Sequence, residues 1–313
     1  MRRFLFLSLF VLSAWGAWIW RPTSLRRQPL EPISKELEAE IEYGKELFTH
    51  TARYLGPKGS VYVSMGSRMT CQNCHLDAGT KAYGISLVSV HARYPEYRAR
   101  EGKVLTLLDR INNCIERPMN GKPLAADSRE AKALQAYFWS LSRGRKVGQR
   151  VKGDRLNDLV RFPSRAADPQ KGKALFQAKC TTCHGEDGQG KLHADGIEFE
   201  YPPLWGMESF NAGSNMHRVI KLAAFIKANM PFGATFYRPM LTDEEAFDLA
   251  AFINDPKQIR PPSLWEDYPR VAEKPIDFPT GPYADSWSEE FHRLGPFLPI
   301  IESLRKDDKV AFY

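Results

Sequence analysis

Five cysteines carry most of the chemistry legible in this chain. Four of them fall in two pentapeptides, Cys-Gln-Asn-Cys-His at 71–75 and Cys-Thr-Thr-Cys-His at 180–184. That spacing is the attachment pattern of c-type haem. The sulfurs of Cys71 and Cys74, and of Cys180 and Cys183, form thioethers to the haem, while His75 and His184 become the proximal iron ligands. A dithiol redox pair has no need of the following histidine, and a shared zinc site would not give each pair a histidine of its own. The motifs predict two covalently bound haem c groups.

A six-coordinate iron needs a second axial ligand. In the second half Met230, followed by Pro231, is expected to supply it, with Lys227 a nearby competitor and simple core packing the alternative. In the first half the matching stretch, RINNCIERPMNGKPL from Arg110 to Leu124, offers Cys114 and Met119. Met230 precedes Thr242 by 12 positions; Cys114 precedes Asp127 by 13 and Met119 precedes it by 8. Spacing therefore favours Cys114. A small buried hydrophobe or a thiol for an intermolecular disulfide remains open for the same residue. Arg110 and Arg117 favour its thiolate, the form that binds metal and attacks electrophiles. A thiolate lowers the potential of its iron relative to a thioether, so electrons are expected to run from the first haem to the second and outward.

The elements that must position these groups repeat. Before the second motif, DPQKGKALFQAKC begins a helix with Asp168 as cap and Pro169 in the first turn. Gly172, Leu175 and Phe176 share one face of it. After the motif, LTDEEAFDLAAFINDP opens with Thr242 and Glu245 spaced as a capping box. The first half follows the same order: GKELF (44–48), the motif, then DSREAKALQAYFWSLSRG (127–144). The expected fold is all-α, two tandem class I cytochrome c-like domains with an extended C-terminal wrap. Residues 30–150 are assigned to a catalytic first haem domain and 151–257 to a linker and second haem domain, the electron exit. The stretch 258–313 is rich in proline and aromatics, with no helical period over most of its length, and is expected to pack on both domains. His50, His91, His193, His217 and His292 are expected in the core or on the surface.

The chain opens MRRFLFLSLFVLSAWGAWIWRP: two arginines before an apolar run, the form of a signal peptide or N-terminal membrane anchor over 1–22. It implies a periplasmic protein, soluble after cleavage or tethered by that segment. Hydrophobic residues are 43% and charged residues 26% of the whole, which excludes wholesale disorder. The formal net charge of +7 suits an anionic substrate or an acidic partner, and no nucleic-acid motif accompanies it.

With these residues in view, CQNCHLDAGTKAYG, ARYPEYRAREGKVLTLLDRINNCIERPMNGKPL, YPPLWGMESFNAG, MHRVIKLAAFIKANMPFG and GPYADSW together resemble the tetrathionate-forming thiosulfate dehydrogenases, over about residue 40 to near residue 300. The resemblance implies a dihaem oxidoreductase that couples two thiosulfates to tetrathionate, in either direction, and exchanges two electrons with a periplasmic acceptor such as a small cytochrome c. It implies that His75 and Cys114 hold the first iron and that Arg100 and Arg110 stand in the substrate pocket. Fixed positive charge is what the joining of two dianions requires, and arginine's planar fork suits sulfonate oxygens. Cys114 is expected to form a covalent adduct with one thiosulfate sulfur, which a second thiosulfate then attacks. One departure is Pro118, where the family pattern often has serine. The rival reading is a dihaem cytochrome that only transfers electrons to a terminal oxidase.

Overall fold

The computed structural model describes residues 30–159, 161–263, 266–307 and 313. The signal peptide or anchor expected over 1–22 lies outside the described residues, among which no helix is long and apolar enough to cross a membrane. Ile33–Tyr313 packs as one unit. Its helices are α1 (Lys35–Thr49), α2 (Thr51–Leu55), α3 (Leu107–Glu116), α4 (Arg129–Ser142), α5 (Pro169–Lys179), α6 (Thr181–His184), α7 (Val219–Asn229), α8 (Asp243–Ile253), α9 (Glu289–Leu294) and α10 (Phe297–Lys306). Two short antiparallel hairpins pair β1 (Glu96–Arg98) with β2 (Lys103–Leu105) and β3 (Lys191–Leu192) with β4 (Phe199–Tyr201). The architecture is that of two tandem cytochrome c domains.

The repeated glycines mark the helix crossings that define each domain. α1 packs across α4, and α5 across α8. Gly44 meets the Ala133 carbonyl and Gly172 the Asp248 carbonyl so closely that a Cβ on either glycine would overlap the oxygen. Only a residue without a Cβ permits that approach. One turn on, Phe48 stands 5.7 Å from Phe138 and Phe176 stands 5.5 Å from Phe252, ring centre to ring centre. The caps also follow the sequence. The Asp168 carboxylate accepts from the amides of Gln170 (2.9 Å) and Lys171 (3.2 Å), with Pro169 in the first turn. Thr242 and Glu245 exchange reciprocal bonds at the start of α8, of 3.1 and 2.9 Å. α4 begins one residue later than the repeat suggested: Ser128, not Asp127, caps it, accepting from the Ala131 amide at 3.2 Å.

Two apolar clusters form the interior, and each takes an aromatic from the other half of the chain. Phe199 of β4 lies in the cluster built by α1, α3 and α4, while Tyr83 lies in the cluster built by α7 and α8. Both side chains are about nineteen-twentieths buried, with 5% exposure each. Polar contacts sew the same seam. His50 and Arg53 hold Glu198 at 2.8 and 2.9 Å, Asn120 donates to the Ser209 carbonyl at 2.9 Å, and Asn211 donates to the Glu116 carbonyl at 3.1 Å.

The tail corrects one expectation. It wraps both domains as anticipated: Asp267 binds Arg117 at 2.9 Å, the Tyr268 amide donates to the Arg100 carbonyl at 2.7 Å, and Asp277 forms a buried pair with Arg218. It also carries two helices that the sequence reading did not assign. In α10, Phe297, Ile300, Ile301 and Leu304 are buried at helical spacing. Pro299 obscured that period, yet it sits in the first turn, where its missing N–H costs nothing. α9 is short and starts at Ser288, whose hydroxyl accepts from the Phe291 amide at 3.3 Å.

Candidate active site and haem-holding residues

The first attachment motif is held from α2. The Cys71 amide donates to Thr51 Oγ1 at 3.0 Å, and that hydroxyl reaches the Cys71 sulfur at 3.3 Å. Thr70 and Asn73 close a capping box around the turn Cys71–Asn73. His75 Nδ1 donates to the Ile85 carbonyl at 2.7 Å, which fixes the ring and leaves Nε2 as the nitrogen that would take an iron. The second motif is arranged alike. His184 Nδ1 donates to the Pro202 carbonyl at 2.9 Å, and Gly185, with φ of 79°, ends α6 directly after the histidine.

Whereas Met230 lies just beyond the end of α7, Cys114, which its spacing aligns with Met230, lies in the last turn of α3. This helix starts at a capping box between Thr106 and Asp109 and ends before Pro118. Leu107, Ile111 and Ile115 form its buried face. Arg110, one turn before Cys114, lies over the same stripe, and its Nη1 donates to the sulfur at 2.9 Å. The His75 imidazole is also in hydrogen-bond contact with that sulfur. Met119, the competing sulfur, is 3% exposed and packs in the core with Met65, Ile115 and Leu124.

The electrostatics separate the three cysteines of this site. Burial pushes the Cys71 and Cys74 thiols up to about 12. Burial would raise Cys114 in the same way. The Arg110 charge and the hydrogen bonds from His75 and Arg110 overcome it and bring that thiol down to about 6. Arg110 is correspondingly held in its charged form by the Cys114 sulfur. In the second domain burial raises Cys180 to about 11.

Arginines that look alike in sequence have different settings. Arg100 is buried; it donates to the Gly213 carbonyl and, at 3.1 Å, to Asn215 Oδ1, and its Nε lies 3.7 Å from Asp267. Tyr268 and Phe278 stack near its guanidinium. Arg117 is braced by Asn113 at 2.8 Å and Asp267 at 2.9 Å. Lys122 is exposed. Of this group, Arg110 is the one in contact with the Cys114 sulfur.

On the second side, Met230 caps the C-terminus of α7, its amide donating to the Ile226 carbonyl at 2.8 Å. It packs with Cys180 against the second apolar cluster. Lys227 is ion-paired with Asp243 at 2.6 Å. His50 and His292 are likewise committed to protein partners, Glu198 and Asp285.

These donor sets fit haem c. Each site offers two cysteine sulfurs beside an imidazole whose Nδ1 is held by a backbone carbonyl, and the first adds the Cys114 sulfur with Arg110 beside it. The Ile85 and Pro202 carbonyls, which orient the two histidines, had no sequence signal, because every residue carries a carbonyl.

Residues 63–147 match the model of the SoxA/TsdA cytochrome c domain, and residues 169–256 match that of cytochrome c. The chain is 39% identical to a thiosulfate dehydrogenase of Stutzerimonas stutzeri over 240 residues, covering 75% of this chain and 74% of that one. It is 42% identical to a thiosulfate dehydrogenase of Allochromatium vinosum over 193 residues, 60% of this chain and 69% of the relative. Among solved structures it resembles the thiosulfate dehydrogenase TsdBA of Marichromatium purpuratum, with a TM-score of 0.64 and 34% identity over 71% of this chain and 46% of that chain.

Proposed function

Given that the chain belongs to the thiosulfate dehydrogenase family, we propose that it joins two thiosulfates into tetrathionate at the first haem domain and delivers two electrons through the second to an external acceptor. Its cofactors are two covalently bound haem c groups. In this reading Cys71 and Cys74 attach the first, with His75 and Cys114 on its iron; Cys180 and Cys183 attach the second, with His184 and Met230 on its iron. Haem c supplies one-electron chemistry, and two haems match the two electrons that the coupling releases.

The observation that carries the proposal is the Cys114 sulfur with the Arg110 guanidinium 2.9 Å away, a charge that lowers the thiol. A thiolate is the nucleophilic form, and the guanidinium both maintains it and offers a fork to an incoming sulfonate. The Cys114 thiolate and the sulfane sulfur of one thiosulfate form an S–S bond with loss of two electrons, leaving a cysteinyl thiosulfonate. A second thiosulfate attacks the outer sulfur of that bond. Tetrathionate leaves, and the Cys114 thiolate is restored with its charge again balanced by Arg110. Division into two steps avoids the direct approach of two dianions. Arg100, held by Asn215 and Asp267, adds fixed charge to the substrate's surroundings. The acceptor is a periplasmic protein such as a small cytochrome c, in keeping with the arginine-led apolar start of the chain.

Purified holoprotein is assayed for thiosulfate-dependent ferricyanide reduction and for tetrathionate, beside Cys114→Ala. Turnover that disappears in a variant retaining both haems is the expected result. Substantial turnover without Cys114 would overturn the scheme. A wild-type protein with both haems and no turnover in either direction would instead be an electron carrier, and Pro118 would be the residue to examine.

A further inference from the structure

The two iron-holding regions meet through a short piece of backbone. His75 Nδ1 donates to the Ile85 carbonyl at 2.7 Å. Two residues earlier, the Tyr83 carbonyl accepts from Asn229 Nδ2 at 2.9 Å. Asn229 is the last residue of α7 and the immediate neighbour of Met230. It is 4% exposed, and its Nδ2 also donates to the Phe225 carbonyl at 3.0 Å. Both amide protons are thus used, one on each domain. Reversing the amide would bring its oxygen against two carbonyl oxygens, so its orientation is determined. Its own oxygen is buried without a partner, a cost the fold bears while both donors are engaged.

Tyr83 is held just as firmly. Its amide donates to the Gly153 carbonyl at 2.7 Å, and its ring lies 4.1 Å from Phe236, in the loop that follows Met230. Its φ is 60°, a region that a non-glycine residue keeps only where its surroundings hold it there. The stretch from Tyr83 to Ile85 is therefore a short rigid link with a hydrogen bond at each end. One end orients the proximal histidine of the first haem, and the other ends beside the distal methionine of the second.

From this geometry we propose that Asn229 is a positioning residue that couples the two haem centres, tying the Met230 end of α7 to the backbone that orients His75. Partners of iron ligands set ligand orientation and strength, so a change at one centre reaches the other through this link. The proposal rests on the reading of Met230 as a ligand of the second haem.

The test uses full-length holoprotein carrying Asn229→Leu, similar in volume and unable to donate, with Asn229→Gln as the conservative counterpart. The readouts are the far-red charge-transfer band of methionine-ligated ferric haem, the paramagnetic resonance signal of each haem, and both midpoint potentials. In Asn229→Leu the signal and potential of the first haem are expected to shift together with those of the second, and turnover to fall about tenfold. Asn229→Gln, which keeps the amide, returns the first-haem signal toward wild type. A first haem that matches wild type in Asn229→Leu, whatever happens to the second, overturns the coupling. Should that variant not accumulate, Asn229→Ala is read in the same way. A wild-type protein lacking the methionine band would overturn the Met230 assignment, and the coupling with it.

Discussion

In the first haem domain the expected second axial residue lies inside a helix, in the last turn of α3; in the second domain it lies one position beyond the end of α7. The difference decides what can stand beside each sulfur. Four residues before Cys114 is Arg110, on the same stripe of the helix and 2.9 Å from the sulfur. Four residues before Met230 is Ile226, buried and apolar, and the cation one place nearer, Lys227, is spent on Asp243 at 2.6 Å. Otherwise the domains are closely alike: the same glycine at the helix crossing, the same phenylalanine one turn on, the same carbonyl-anchored histidine. In the proposed reading, one scaffold serves a reactive site or an electron-holding site according to what occupies a single helical turn. Charge beside a thiolate prepares it for anions, whereas an apolar turn beside a thioether leaves only ligation and burial to set the potential.

The comparison breaks most completely if the first site is rebuilt as the second. Cys114→Met is expected to retain both haems, raise the potential of the first, and cut turnover at least about a thousandfold, since removal of a covalent catalyst costs orders of magnitude. Measured potentials together with a tetrathionate assay test this, and near-normal turnover would sink the assigned role. Arg110→Ile transfers the other half of the difference. Loss of one fixed cation at the reacting sulfur should lower kcat/KM by about a hundredfold or more, with the spectrum of the second haem unchanged. A fall of less than threefold would show that other charges govern the site.

The shared scaffold can be tested from the opposite direction. Gly44→Ala and Gly172→Ala place a Cβ against the Ala133 and Asp248 carbonyls, and each should destabilise the protein by about 1–3 kcal/mol. Denaturant titration measures both. A large effect in one domain and none in the other would mean that the crossings are not equivalent. The smallest effect belongs to the rejected sulfur. Met119→Leu, in the core rather than beside His75, should cost less than about 1.5 kcal/mol and leave the first-haem spectrum intact. A changed spectrum would transfer ligation to Met119.

Much of this was legible in the residues themselves. The attachment cysteines and their histidines lie within five positions of one another, so covalent spacing alone brings them together. The helix crossings were legible because glycine and phenylalanine one turn apart define a face, and the caps because Asp168, Thr242 and Glu245 act within a single turn. The α10 helix was missed because a proline in a first turn reads as a breaker until the buried face behind it is seen, and α9, at six residues, is too short to show a period. The arginines could not be sorted at all. Arg100 and Arg110 are ten positions apart, and only the packing of the tail and the second domain gives Arg100 its partners.

By itself, the sequence determined the cofactors, the expected proximal ligands and the repeated helical plan, because these depend on contacts within a motif or a helical turn. Tertiary structure decided which sulfur faces His75, which arginine touches it, and how the two domains interlock through Phe199, Tyr83 and Asn229. The physical reason is distance along the chain. A helix end is aimed by what packs against it, and carbonyls such as those of Tyr83, Ile85 and Pro202 gain a role only when a donor from elsewhere arrives within hydrogen-bonding reach.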